Sequence, residues 1–511
     1  MATPASSLIV RRVLVASAGN LLEWYDFAVF GIFAEEIGEA FFPKSNPHTA
    51  LLESFTVFAI AFLVRPIGGV LFGHIGDRYG RERALLLTIV LMASATLIIG
   101  ILPTYDSFGV ACTILLVLCR LMQGLAAGGE LPGALVYAIE SASPRHVGFF
   151  GALVQATASG SLLASVVRSV LHATLGDKGI ARWGWRVPFL LGSLIATATG
   201  FLRRNMRSTP AFASYQRKAA SASAVNGTSS TAGGVASPAA PQVQRLPLAQ
   251  TLLHDLPAVL RIGGASAMGM VGFYALFIWA PNFLRESRGF SLTAELNVLG
   301  MLTWAVAAVS SGALADRVGS LPNVALFGML STGLLAPIAF VFIEHGPMEL
   351  LPLILEVLVV CHAMYVGPIQ AWLVLSLRSV GNRYSGLGLA YNLCAAVLAG
   401  STPLVATFLS GSALGAAGAG LYLSCAALVS GLTVYFSEKY YPIKVGVGCS
   451  AIIAEDASRS DATEHSTLHV EFSSPVPEVG EETSATRVGV VRHEKRQPFD
   501  AKSDELELAT T

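Results

Sequence analysis

Glu23 and Asp26 stand three residues apart in an apolar stretch near the N-terminus, and Arg120, Gln123, Ala127 and Glu130 recur at helical spacing in another. At 3.6 residues per turn each set falls on one side of its helix. Charged side chains in such segments persist by pairing with an opposite charge or by lining a watery cavity, and they mark proton or solute pathways. Asp26 or Glu130 can then bind and release a proton as a cavity opens and closes, with Glu23 as a further candidate. Arg120 is suited to bidentate capture of a carboxylate, and Gln123 to added hydrogen bonds. The competing role is structural: a carboxylate that only locks its helix to a neighbour, or an arginine permanently paired with one. Counted from the water-facing ends at about 1.5 Å per residue, Asp26 and Arg120 both lie roughly 20–25 Å deep, so they meet if their helices face one cavity.

Other polar residues sit in comparable segments. Arg65, eight residues before Gly73, is close enough to a surface to snorkel, and Arg168 can do the same at the opposite side or meet an anion at the mouth. His362 is a proton-relay candidate because its ring ordinarily titrates near neutrality. Glu356 lies six residues earlier, about 120° round the helix, so one face cannot present both. Tyr25, Tyr274 and Asn392 are expected at the solute site, with Trp279, Asn282 and Tyr391 as further wall residues; aromatic rings near helix ends also serve as interfacial anchors.

The elements that must hold these groups are membrane helices. The 511 residues are 53% hydrophobic and only 13% charged, with a mean hydropathy of +0.61, far from a soluble average of about 25% charged. Apolar runs long enough for a core of about 30 Å cover 12–33, 50–73, 84–102, 109–137, 147–173, 185–202, 258–284, 293–314, 321–343, 350–376, 385–409 and 414–437. The expected fold is an all-α integral membrane protein with twelve transmembrane helices, six in each half.

The halves are related. Gly73-His74-Ile75-Gly76-Asp77-Arg78-Tyr79-Gly80-Arg81-Glu82-Arg83 follows the second run, and Gly312-Ala313-Leu314-Ala315-Asp316-Arg317-Val318-Gly319 follows the eighth. Such charge clusters are expected in tight turns at a water interface. Asp77, Arg78, Arg81 and Glu140 in the first half, and Asp316 and Arg317 in the second, can latch the inward end of an alternating-access carrier. They also serve as topogenic charge. With a cytosolic N-terminus the inner loops and flanks hold eighteen Lys and Arg against six outside, so both termini and the central loop are expected inside. The opening residues lack a short apolar core with a cleavage site, so the first helix is read as uncleaved.

The boundaries follow: a first bundle over 1–202, a cytosolic central loop over 203–257, a second bundle over 258–437 and a disordered cytosolic tail over 438–511. Within the loop, 219–244 is mostly Ala, Ser, Gly, Thr, Pro and Val, a flexible linker by composition. Asn226-Gly227-Thr228 fits a glycosylation acceptor but falls on the cytosolic side, where chance composition explains it. Five of six cysteines lie within helices, which implies no disulfide framework. Zero net charge points to no particular partner, and no nucleic acid is expected. There is no phosphate loop, no metal-spaced His/Cys cluster and no nucleophile with a base, so neither enzyme activity, nor a metal, nor a cofactor is expected.

Five motifs in order, Gly19-Asn20-Leu21-Leu22-Glu23-Trp24-Tyr25-Asp26-Phe27, Phe62-Leu63-Val64-Arg65-Pro66-Ile67-Gly68-Gly69, the Gly73–Arg83 turn, Arg120-Leu121-Met122-Gln123-Gly124 with Gly128-Gly129-Glu130, and Trp183-Gly184-Trp185-Arg186-Val187-Pro188-Phe189, resemble the metabolite:proton symporter family of the major facilitator superfamily. That family carries shikimate, α-ketoglutarate, citrate, and proline or betaine. The resemblance spans roughly residues 12–437. It implies two six-helix bundles around a cavity lined by the first, fourth, seventh and tenth helices, and solute import coupled to proton entry. It supports Asp26, Arg120, Gln123 and Glu130 as site candidates without assigning their roles. Departures are the missing arginine after Gly319, which should weaken the second latch, and the long linker and tail.

The expectation is a proton-coupled symporter, monomeric and multi-pass in the lipid bilayer of the plasma membrane, importing a small organic acid or zwitterionic compatible solute. A uniporter of the same fold and a transport-derived sensor remain as alternatives.

Overall fold

A computed structural model describes residues 4–43, 47–228, 255–289 and 293–443. Twelve helical spans follow: α1 Pro4–Ile32, α2 Pro47–Tyr79, α3 Arg81–Ile101, α4 Val110–Ser141, α5 Val147–Gly184, α6 Arg186–Arg203, α7 Leu256–Arg288, α8 Thr293–Val318, α9 Leu321–His345, α10 Leu351–Leu375, α11 Val380–Ser410 and α12 Ala416–Tyr440. Ten meet the length and hydropathy of a membrane span. The other two, α1 and α6, fall short for reasons visible in their residues. Asn20, Glu23 and Asp26 dilute the apolar run of α1, and an arginine stands at each end of α6.

The expected turn at 73–83 is narrower in the structure. Helix continues to Tyr79 and restarts at Arg81, because Gly80 alone makes the reversal at φ +112°, a conformation that only glycine adopts without strain. Gly319, at φ +75°, does the same between α8 and α9. The Ser320 side chain then accepts from the Asn323 N–H as an N-cap. Three spans are irregular. Thr157–Gly160 of α5 is a 3₁₀ turn, whereas Ala275–Trp279 of α7 and Ala395–Ala399 of α11 are π-turns. A helix over Pro210–Thr228 runs into the stretch expected as linker, where alanine favours helix. The rest of that linker, from residue 229, and the tail from 444 lie outside the described residues.

Small residues set the helix spacing. A Cβ on Gly124 would lie 2.9 Å from Ala61 Cα, and one on Gly128 would lie 2.7 Å from the Gly69 nitrogen, so α4 and α2 touch backbone to backbone. Across the halves, Gly69 of α2 meets Gly388 of α11 just as closely. Gly128→Val must therefore separate α2 from α4, and we expect folded yield and thermal midpoint in detergent to fall well below those of Ala127→Val. One apolar core, including Val13, Leu135, Phe150, Leu321 and Trp372, runs through both halves, and its first-half members lie toward the end that carries the two charged turns. A second, around Phe30, Ile37, Leu116 and Trp185, draws only on first-half residues toward the other end. The apolar contact between the halves is thus concentrated toward the end with the charged turns.

Candidate functional site

The motif on α1 positions two carboxylates one turn apart, and each meets an arginine from another helix. Glu23 pairs with Arg65 of α2. Asp26 Oδ2 stands 3.7 Å from Nη1 of Arg120 on α4. The second pair sits in a relay: Arg120 Nη1 donates to Gln123 Oε1 at 2.9 Å, Gln123 Nε2 donates to Thr96 Oγ1 at 2.9 Å, and Thr96 donates to Asp26 Oδ1 at 2.8 Å. The carboxylate–guanidinium contact is therefore electrostatic, beyond the length of a formed hydrogen bond. Both guanidinium groups lie against Phe27, Arg65 at 5.0 Å and Arg120 at 4.9 Å from the ring centre, and Phe30 packs 4.2 Å from Arg120. Asp26 and Arg120 are fully enclosed, at 3% and 0% exposure.

Glu130 shares the stripe of Arg120 but faces another neighbour. It is clamped by Arg203 at the end of α6, with Nη1 donating to Oε2 at 3.0 Å and Nη2 to Oε1, while Thr88 donates to Oε2 at 2.6 Å. Arg203 also donates to the carbonyls of Leu85 at 2.6 Å and Ala16 at 2.5 Å. A carboxylate and a guanidinium so fully used form a buried strut among α1, α3, α4 and α6.

Between the halves lies a cleft of roughly 310 Å³, walled by Gln155 of α5, Ser266 and Phe273 of α7, Trp304 of α8, Gln370 of α10 and Tyr391 of α11. The amide oxygens of Gln155 and Gln370 are buried and lack a hydrogen-bond partner among the described residues. Tyr274, edge-on to Phe62 at 6.5 Å, and Tyr391 come within electrostatic reach of Arg65. Arg65 therefore faces the second half from the ion-pair layer instead of snorkelling to a surface.

The remaining expected site residues fall elsewhere. Tyr25 donates to the Pro188 carbonyl at 2.8 Å inside the first half. Asn392 Nδ2 donates to the carbonyls of Gly128 and Gly388, both at 2.7 Å, and so ties α11 to α4. His362 accepts at Nδ1 from the Trp304 indole at 3.1 Å, fully buried within the second half. Trp279 donates to Thr407 at 3.1 Å, Asn282 is exposed, and Arg168 pairs with Glu36 at 2.5 Å.

At the end with the charged turns, the two acidic turns grip helix N-termini of the opposite half. Asp77 accepts from the N–H groups of Tyr384 at 3.1 Å and Ser385 at 2.8 Å, and from the Ser385 hydroxyl. Asp316 accepts from the N–H groups of Gly148 and Phe149, both at 2.8 Å. A carboxylate at a helix N-terminus meets free N–H groups and the positive end of the dipole. Around Asp77 a network closes: Arg81 contacts Asp77 at 3.4 Å and Glu140 at 3.1 Å, and Arg383 reaches Glu140 at 3.2 Å. Arg78 and Arg317 are exposed outside this network. Asp77→Ala removes three charge-assisted bonds of about 1.5–3 kcal/mol each. Spin labels replacing exposed Arg78 and Arg378, in a chain without its native cysteines, should then report a longer distance across this end.

Several participants escape a reading of the sequence. Gln155 and Gln370 are intramembrane amides, a signal present but unmarked; Thr96 and Tyr384 carry none. Arg203 and Arg383 read as loop charge.

A family model described as "Sugar (and other) transporter" matches residues 12–438. The chain is 30% identical over 434 residues to the glycine betaine/proline/ectoine/pipecolic acid transporter OusA of Dickeya dadantii (strain 3937), covering 84% of this chain and 83% of that protein. It is 30% identical over 429 residues to a proline/betaine transporter of Escherichia coli (strain K12), covering 83% and 82%. To the shikimate transporter of the same strain it is 31% identical over 433 residues, covering 83% and 93%. The fold is similar to that of the proton:xylose symporter XylE bound to 6-bromo-6-deoxy-D-glucose, with a TM-score of 0.67 at 19% identity, over 88% of this chain and 99% of that one. Together with the twelve spans and the paired acidic turns, these matches establish that the chain belongs to the sugar (and other) transporter family of the major facilitator superfamily, as a multi-pass membrane transporter and not an enzyme.

Proposed function

We propose that this protein is a proton-coupled symporter that imports a small carboxylate-bearing solute, an organic acid or a zwitterionic compatible solute, by alternating access. The observation that carries the reading is the Asp26–Arg120 contact, close enough to attract and too long for a formed hydrogen bond, set in a hydrogen-bonded relay within the first half and sharing the Phe27 ring with the Glu23–Arg65 pair. A carboxylate brought to this layer competes for a guanidinium, and Asp26, released from it, takes the coupling proton. The solutes for which the relatives are named, proline, betaine and shikimate among them, share a carboxyl group, which supports the class. Gln155 and Gln370 supply free amide acceptors for the remainder of the solute.

The joined inner end corresponds to a carrier shut toward the cytosol. Import then requires release of Asp77 and Asp316 from their helix N-termini. We propose a monomer in the plasma membrane, with both termini placed in the cytosol by the distribution of loop arginines. Purified protein in proteoliposomes should accumulate proline, glycine betaine or shikimate under an inward proton gradient and lose that accumulation with a protonophore. Saturable entry indifferent to the gradient identifies a uniporter instead, and binding without flux identifies a sensor.

A further inference from the structure

We infer that a second site, a pocket for a monovalent alkali cation, lies toward the outer end of the second half, between α7, α8 and α10. The cleft there is partly open, spans about 350 Å³ and is walled by Phe277, Pro281 and Leu284 of α7, Asn297 and Gly300 of α8, and Glu356 of α10. Both carboxylate oxygens of Glu356 and the amide oxygen of Asn297 are shielded from the surface and have no hydrogen-bond partner among the described residues. The carboxylate points to α8: a Cβ on Gly300 would lie 3.6 Å from Glu356 Oε1 and 3.5 Å from the Phe277 ring. Asn297 is one turn from Gly300 on the same helix face.

Three hard oxygens thus belong to side chains lining one cleft, with no cationic side chain among its described wall residues. An ionised carboxylate accepts and cannot donate, and a bound cation would satisfy its oxygens and balance its charge together. Apolar surroundings make an uncompensated charge there costly, and intramembrane carboxylates are retained where they bind something. Oxygen donors with a single formal charge suit an alkali cation better than a transition metal or a divalent ion. Glu356 stands five residues into α10. At the helical rise per residue that is roughly 7 Å below the outer end, within reach of an ion arriving from outside.

The site is separate from the Asp26–Arg120 layer and does not depend on the solute. The test is equilibrium binding of radioactive Na⁺ to the purified full chain, with N-methyl-D-glucamine replacing Na⁺ at constant ionic strength and pH. We expect saturable binding that is lost in Glu356→Gln, weakened about tenfold in Asn297→Ala through loss of one neutral oxygen, and retained in Asp26→Asn. Should Glu356→Gln fail to fold, Asn297→Ala alone decides. Absence of saturable binding by the natural chain, or binding unchanged in Glu356→Gln or in Asn297→Ala, overturns the inference.

Discussion

Asp26→Asn is expected to abolish uphill accumulation while leaving exchange of solute across the membrane intact. A gradient of one pH unit is worth about 1.4 kcal/mol per proton, and with one proton per solute it sustains up to about tenfold accumulation. Asparagine keeps the size of the side chain and its hydrogen bond from Thr96, but it cannot take up a proton or counter the charge of Arg120. The variant should therefore bring internal and external solute to equal concentration and stop there. Counterflow, with solute loaded on both sides, moves no net proton and should continue. Uptake down a pH gradient and counterflow, measured on the same proteoliposomes, give the two numbers needed. A variant that still accumulates solute removes Asp26 from the coupling step.

Glu130→Gln should act on the fold more than on coupling. The substitution deletes the charge that balances Arg203 in a site where both are almost wholly enclosed, at 2% and 1% exposure. Removing one partner of a buried pair costs about 3–5 kcal/mol, chiefly because the other charge is left behind. Arg203 would keep its bonds to the Leu85 and Ala16 carbonyls, so the protein need not lose its fold completely. We expect a markedly lower thermal unfolding midpoint in detergent and reduced yield, with the surviving protein still proton-coupled. Coupling lost at unchanged stability would instead make Glu130 a proton carrier.

The contrast between these carboxylates shows where sequence reasoning reaches. Helical rise per residue sufficed to set Asp26 and Arg120 at one depth, and the structure brings them together. The same periodicity aligned Glu130 with Arg120, yet periodicity along one helix is silent about which helix stands opposite. Glu130 lies nearly three turns further along α4, where the neighbour is the last residue of α6, an arginine that a loop-charge count had already explained. Arg65 shows the same gap: its nearness to the inner turn favoured snorkelling, whereas Glu23 on α1 captures it.

The spans themselves were legible because hydrocarbon demands long apolar runs. What the runs conceal is where helices extend beyond the apolar run, as α1 does from Pro4, and where the backbone departs from α-geometry inside them, as at Ala275–Trp279. The acidic turns were visible as charge clusters. Their targets, the main-chain N–H groups of Ser385 and Phe149 among them, carry no side-chain signal at all.

The most direct test of the central claim is to follow internal pH in proteoliposomes loaded with a pH-sensitive dye, at zero initial gradient and clamped voltage, when proline, glycine betaine or shikimate is added outside. If Asp26 couples solute to proton, the transported solute acidifies the lumen of vesicles holding the natural chain and leaves those holding Asp26→Asn unchanged. Solute entry with no acidification by the natural chain would contradict proton symport.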